Sequence, residues 1–171
     1  SAAKLMMDSR FDGSSAARFR LLDDQGNVLV EEPADLNSAS QFLSLQAGDY
    51  ALELFFSNDT AGTIPFLLRD VTDAPLLDLD TMVTVPVMPA RGSAVYRTTL
   101  DGSTPLQLAH RNPVGNNFTL RLLNQHGQEV HATSGTDVSI PQMGLSGTYY
   151  VVVEGYQTGS ATEAGSLDIG L

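Results

Sequence analysis

Cysteine and tryptophan are both missing from these 171 residues. Without a thiol there is no disulfide framework, no thiolate zinc site and no cysteine nucleophile. Charge is sparse as well: Asp, Glu, Lys and Arg make up 17% of the chain, with 20 carboxylates against 9 Lys and Arg, for a formal −11. Such a surface repels nucleic acid and anionic lipid, so neither is expected as a partner. Long apolar runs are also lacking. A bilayer span needs roughly 20 apolar residues, and the longest strongly apolar piece is "YYVVV" at Tyr149 to Val153, so no membrane insertion is expected. The opening "SAAKLMMDSR" has neither the charged start nor the apolar centre of an export signal, and the chain reads as an excerpt of a longer precursor with any such signal upstream.

Recognisable catalytic patterns are scarce. The histidines are His110, His126 and His131, and none belongs to a His-Glu-x-x-His or similar metal spacing. "GLSGT" at Gly144 to Thr148 approaches the Gly-x-Ser-x-Gly nucleophile elbow but lacks its last glycine and its strand-to-helix context. Phosphate-cradling glycine loops do not occur, nor does EF-hand spacing.

What is present is a globular composition, 42% hydrophobic, in a chain long enough to bury a core. Apolar residues alternate or cluster in short runs bounded by Gly, Pro, Asn, Asp and Ser, the pattern of strands and turns. "ARFRLL", "DDQGN" and "VLV" read as a hairpin, followed by strands in "DYALELFF", "PFLLRDV", "TMVTVPVM", "SAVYRTTL" and "PLQLAH". "NFTLRLL", "QEVHA", "DVSI", "GTYYVVVEG" and "GSLDIGL" complete the series. Pro65 points to an edge or a bend and Pro86 to an edge strand, because proline cannot donate to a ladder. Strands this short and this evenly spaced imply an all-β fold of the sandwich or jelly-roll-like kind.

The chain also repeats itself. "RLLDDQG" at Arg20 to Gly26 returns as "RLLNQHG" at Arg121 to Gly127, and Gly48 and Tyr50 return as Gly147 and Tyr149. Upstream, "LMMDSR" matches "LQLAHR". A register held over this length indicates an internal duplication with a period near 100 residues, one small β-sandwich per copy. The expected organisation is a first unit over 1–72 that lacks its initial strands, an acidic linker over 73–82, and a complete second unit over 83–171.

The run "VYRTTLDGSTPLQL", "FTLRLLNQHGQEV", "LSGTYYVVVEGY" resembles the bacterial pre-peptidase C-terminal domain. The passage from "FLLRDV" to "VYRTTL" resembles the junction between successive units of large repetitive bacterial surface and secreted proteins. The resemblance implies a non-catalytic accessory or stalk segment, secreted or at the bacterial cell surface, whose partners are neighbouring domains of the same polypeptide and, for a binding module, an extracellular polysaccharide or protein. A hydrolase fragment is the third reading. The first unit departs from the pattern in having no "VYR" strand ahead of it, and Arg91 and Gly92 stand where the family often carries an acidic residue.

Two sets of candidate residues follow. Alternation sends Tyr149 and Tyr150 to opposite faces of one strand; Tyr149, aligned with Tyr50, is assigned to packing, while Tyr150 and Tyr156 are the candidates for a ligand-binding surface. Asp70, Asp73, Asp78 and Asp80 gather at the junction, where carboxylates can hold calcium and stiffen one module against the next; the competing reading is a solvated acidic linker. Asp23 and Asp24 align with Asn124 and Gln125 in the other copy. A metal site shared by both copies does not survive that exchange, so these residues are assigned to turn geometry.

Overall fold

The computed structural model describes residues 2–9, 16–33, 41–58, 62–64, 66–78, 83–86, 93–103, 106–111, 118–135, 137–142, 144–155 and 166–170. Among them every regular element is a strand. The chain divides into two compact units, 1–72 and 73–171. Residues 73–78, expected as part of an acidic linker or junction, belong to the second unit: Leu77 enters its core, and the Leu77 amide donates to the Arg97 carbonyl while the Arg97 amide donates to that of Pro75.

The first unit contains β1 (Ala3–Ser9), β2 (Ala17–Leu22), β3 (Val28–Pro33), β4 (Gln41–Leu45), β5 (Ala51–Phe56) and β6 (Phe66–Asp70). They form two three-stranded antiparallel sheets, ordered β4-β1-β6 and β3-β2-β5. Alternation along β2 buries Ala17, Phe19 and Leu21 and leaves the arginines between them on the other face. The buried set packs with Met7 and Leu43 of the other sheet, so the core lies between the two sheets.

The second unit contains β7 (Val83–Pro86), β8 (Ser93–Asp101), β9 (Leu106–Arg111), β10 (Phe118–Asn124), β11 (Glu129–Gly135), β12 (Asp137–Gln142), β13 (Ser146–Gly155) and β14 (Ser166–Gly170). Its sheets are ordered β11-β10-β13-β8 and β12-β9-β14-β7. Leu120 and Leu122 of β10 and Val151 and Val153 of β13 form its core with Ala94, Leu100 and Leu77. Pro86 closes β7, which is an edge strand, as a residue without an N–H requires.

The duplication extends to topology. β3-β2-β5 corresponds to β11-β10-β13, and β4-β1-β6 to β12-β9-β14. Among the described residues the second unit has one further strand at one edge of each sheet, β8 beside β13 and β7 beside β14. Its β10–β11 ladder shifts register between Leu122 and Leu123, and the β2–β3 ladder shifts at the matching place, between Leu21 and Leu22. A bulge retained in both copies fixes the local twist of both hairpins.

Candidate functional site

The repeated phrase forms one turn twice. In the first copy the Gly26 amide donates to the Asp23 carbonyl at 3.1 Å and the Asp23 amide to that of Asn27 at 3.0 Å; in the second, Gly127 donates to Asn124 and Asn124 to Gln128, both at 2.9 Å. Oδ1 of Asp23 accepts from the amides of Gln25 and Asn27, and Oδ1 of Asn124 from those of His126 and Gln128. Gly26 and Gly127 have φ of 81° and 82°, a left-handed conformation in which a side chain is strained. The Asn27 side chain, and after it the turn amides, hold the Asp23 carboxyl below its ordinary pKa. Aspartate and asparagine therefore serve the same purpose here, as acceptors for local amides. His126, the third residue of its turn, is exposed.

Ionic clusters sit on the outward face of each hairpin sheet. Arg121 bonds Glu154 of β13 at 2.9 Å through Nε and Glu129 of β11 at 2.8 Å through Nη1. Its side chain is only 16% exposed. Burial lowers the guanidinium pKa, but Glu154 and Glu129 together more than offset this and leave it above the ordinary arginine value. In the first unit Arg20 lies between Glu31 and Glu53, at 3.6 and 3.4 Å, and stacks on the Phe55 ring at 4.5 Å; Arg18 reaches Glu31 at 3.2 Å. The arginine is retained between copies while its carboxylates change position. Glu53 corresponds to Val152 and Glu154 to Phe55, as the ladders place Arg20 opposite Glu53 and Arg121 opposite Val152. The clusters brace neighbouring strands. Repeated arginines with acidic residues on flanking strands are the sequence signal for them, but their pairing needs the register.

Of the tyrosine expectations, only that for Tyr150 requires correction. Tyr149 packs against the core of the second unit and Tyr50 against that of the first, its hydroxyl donating to the Gln46 carbonyl at 3.1 Å. Tyr150, the expected surface residue, is 4% exposed. It points to the opposite face from Tyr149, but that face is covered at this level too: Val152 and Leu123, which share it, are buried. Tyr156 lies outside the described residues.

At the junction, Asp70, Asp73 and Asp78 are exposed, and Asp80 lies outside the described residues. Asp70 closes a turn, accepting from the Thr72 amide at 2.9 Å. The Thr72 side chain, then its amide, lower the Asp70 pKa. Among the described residues no group of three or more His, Asp or Glu side chains gathers as a metal site. Among them, too, no helix is long and apolar enough to cross a membrane, which leaves β-barrels unaddressed.

No family model and no curated protein sequence matches the chain. Solved structures give weak likenesses. The crystal structure of the pre-peptidase C-terminal domain of the collagenase from Bacillus anthracis is similar over 57% of this chain and 93% of its own, at 17% identity and a TM-score of 0.48. The infectious bursal disease virus structures of the Gt and Gx strains are similar over 98% of this chain, at 14% and 11% identity and TM-scores of 0.28 and 0.27. This chain spans 53% of each viral chain.

Proposed function

We propose that the chain is a non-catalytic, tandem β-sandwich segment that spaces and presents neighbouring parts of a larger secreted or surface-attached bacterial protein. The observation that carries this reading is the contrast between what the two units share and what they do not. They share strand order, bulge position, turn glycine and turn acceptor. These features build a sheet. The charged positions around Arg20 and Arg121 differ, and a repeated recognition site would have had to keep them. The sequence resemblance to accessory domains of repetitive secreted proteins supports the same reading.

A spacer bears load as a series of separate folded bodies. Pulling on the full chain between two handles is expected to give two rupture events, releasing the 72 and 99 residues of the two units. At about 3.4 Å per extended residue these correspond to increments of roughly 250 and 340 Å, before subtracting the folded end-to-end distance. One event releasing the whole length would end the tandem-spacer reading. Turnover of an ester, peptide or glycoside substrate, abolished by a single substitution, would replace it with the hydrolase.

A further inference from the structure

Among the described residues every ladder of the second unit is antiparallel. One short segment at its margin departs from this. Pro75 to Leu77 run parallel to β8 through an isolated bridge between Leu76 and Arg97. The Leu77 amide donates to the Arg97 carbonyl at 2.7 Å, and the Arg97 amide to the Pro75 carbonyl at 2.8 Å. Pro75 has no N–H to offer the next carbonyl along β8, so the bridge cannot grow into a ladder on that side. One side chain anchors the segment: Leu77 is 4% exposed and lies in the core, while Leu76 before it is 67% exposed. β8 itself, nine residues long, pairs with β13 from end to end.

Just upstream the chain is fastened to the first unit. The Val71 amide donates to the Lys4 carbonyl at 2.8 Å, and the Lys4 amide to Oγ1 of Thr72 at 2.8 Å. Only Asp73 and Ala74 lie between Thr72 and Pro75. The two fastenings are unequal. The first continues the β1–β6 ladder directly beyond Asp70, whereas the second is a lone bridge. A short element with two backbone bonds and one deeply buried leucine is where a fold opens before it unfolds.

We propose that Pro75–Leu77 is a releasable strap, which detaches from β8 while the second sandwich stays folded and so lets out chain at the junction. This deepens the spacer reading and rests on it. The connector grows from two residues to at least five, 73–77, a gain in reach of roughly 10 Å at about 3.4 Å per residue. The antiparallel β8–β13 ladder is untouched by the release, and it keeps the bridge position of Arg97 in place for the strap to return.

The test is native-state hydrogen exchange by NMR on the full chain. The Arg97 amide faces the strap, and in an antiparallel ladder the neighbouring Tyr96 and Thr98 turn theirs toward β13. The Leu77 and Arg97 amides are expected to exchange together, about tenfold or more faster than those of Tyr96 and Thr98. Their exchange should also depend less on added urea, because a strap exposes less surface than a sandwich. Exchange of all four amides in step overturns the proposal, since the segment would then open only with the whole unit. A second measurement pins the strap. Leu76→Cys and Arg97→Cys put a thiol on each bridge partner of a chain with no cysteine of its own, at a strand spacing that a disulfide spans. Oxidation is expected to slow the Leu77 amide to the rate of Tyr96 and Thr98, and reduction to restore it. A Leu77 amide that stays fast when pinned overturns the proposal, because its exchange would be fraying and not release. Both measurements are made without load, so the strap can fail while two rupture events uphold the spacer, and the reverse.

Discussion

Set side by side, β2-β3-β5 and β10-β11-β13 are the same three strands in two circumstances: among the described residues one triplet ends at β5 and the other is flanked by β8. Backbone geometry does not change between them, since bulge, turn and pairing register coincide. Burial changes instead, at β5 against β13 and also at half-buried Leu22 against fully buried Leu123.

Substitutions can break or sharpen this contrast. The largest effect is expected at Leu122, which is 0% exposed in the flanked sheet: Leu122→Ala should cost about 4 kcal/mol, whereas Leu54→Ala on half-buried β5 should cost under about 2. Denaturant unfolding of both variants measures the difference, and equal costs would mean that half-burial at β5 leaves no energetic trace. Next are the arginines. Arg121→Met breaks two hydrogen bonds in a largely covered setting and should cost about 2 kcal/mol, while Arg20→Met, whose side chain is 33% exposed, should cost under about 1.

Gly26→Ala and Gly127→Ala come third. Both residues have left-handed φ, and a Cβ at Gly26 meets nothing within 4 Å. The expected penalty is about 1 kcal/mol from backbone strain, equal at the two sites. Unequal values would show that the turns are less alike than their hydrogen bonds indicate. The smallest effect belongs to Asp23. Its folded pKa is lowered from 3.8, so its contribution is whole above 3.8 and fades as pH falls through the lower folded value. Asn124 has no such titration. Asp23→Asn should therefore remove this part of the acid sensitivity of the first unit, seen as a smaller fall in its melting midpoint between neutral pH and about pH 3.

The duplication, the hairpins and the all-β class were legible because strand alternation and turn residues are local signals. "RLLDDQG" and "RLLNQHG" show the left-handed glycine and the amide acceptor directly. Tyr150 was not legible. Alternation separates it from Tyr149, but whether a second face is covered depends on what packs there, and no period in the sequence encodes that. The segment 73–78 reads as linker because its aspartates dominate the eye. Its structure is set by Leu77, one apolar residue in the core, and by two backbone hydrogen bonds with Arg97. The Arg121 cluster needed the inter-strand register, which places Arg121 opposite Val152 and leaves Glu154 on the same face, two residues further along β13.

Matching register in two copies carries a hazard during synthesis. β10 offers β5 the same ladder that it offers β13, so a ribosome-bound chain faces a choice between right and wrong partners. Order of emergence favours the right one. About sixty residues separate the end of β5 from the start of β10, which at typical translation rates is a lead of roughly 3 to 12 seconds. Hairpin closure takes microseconds. By the time β10 emerges, β5 is already committed to β2, and the two near-copies are kept apart by time rather than by sequence.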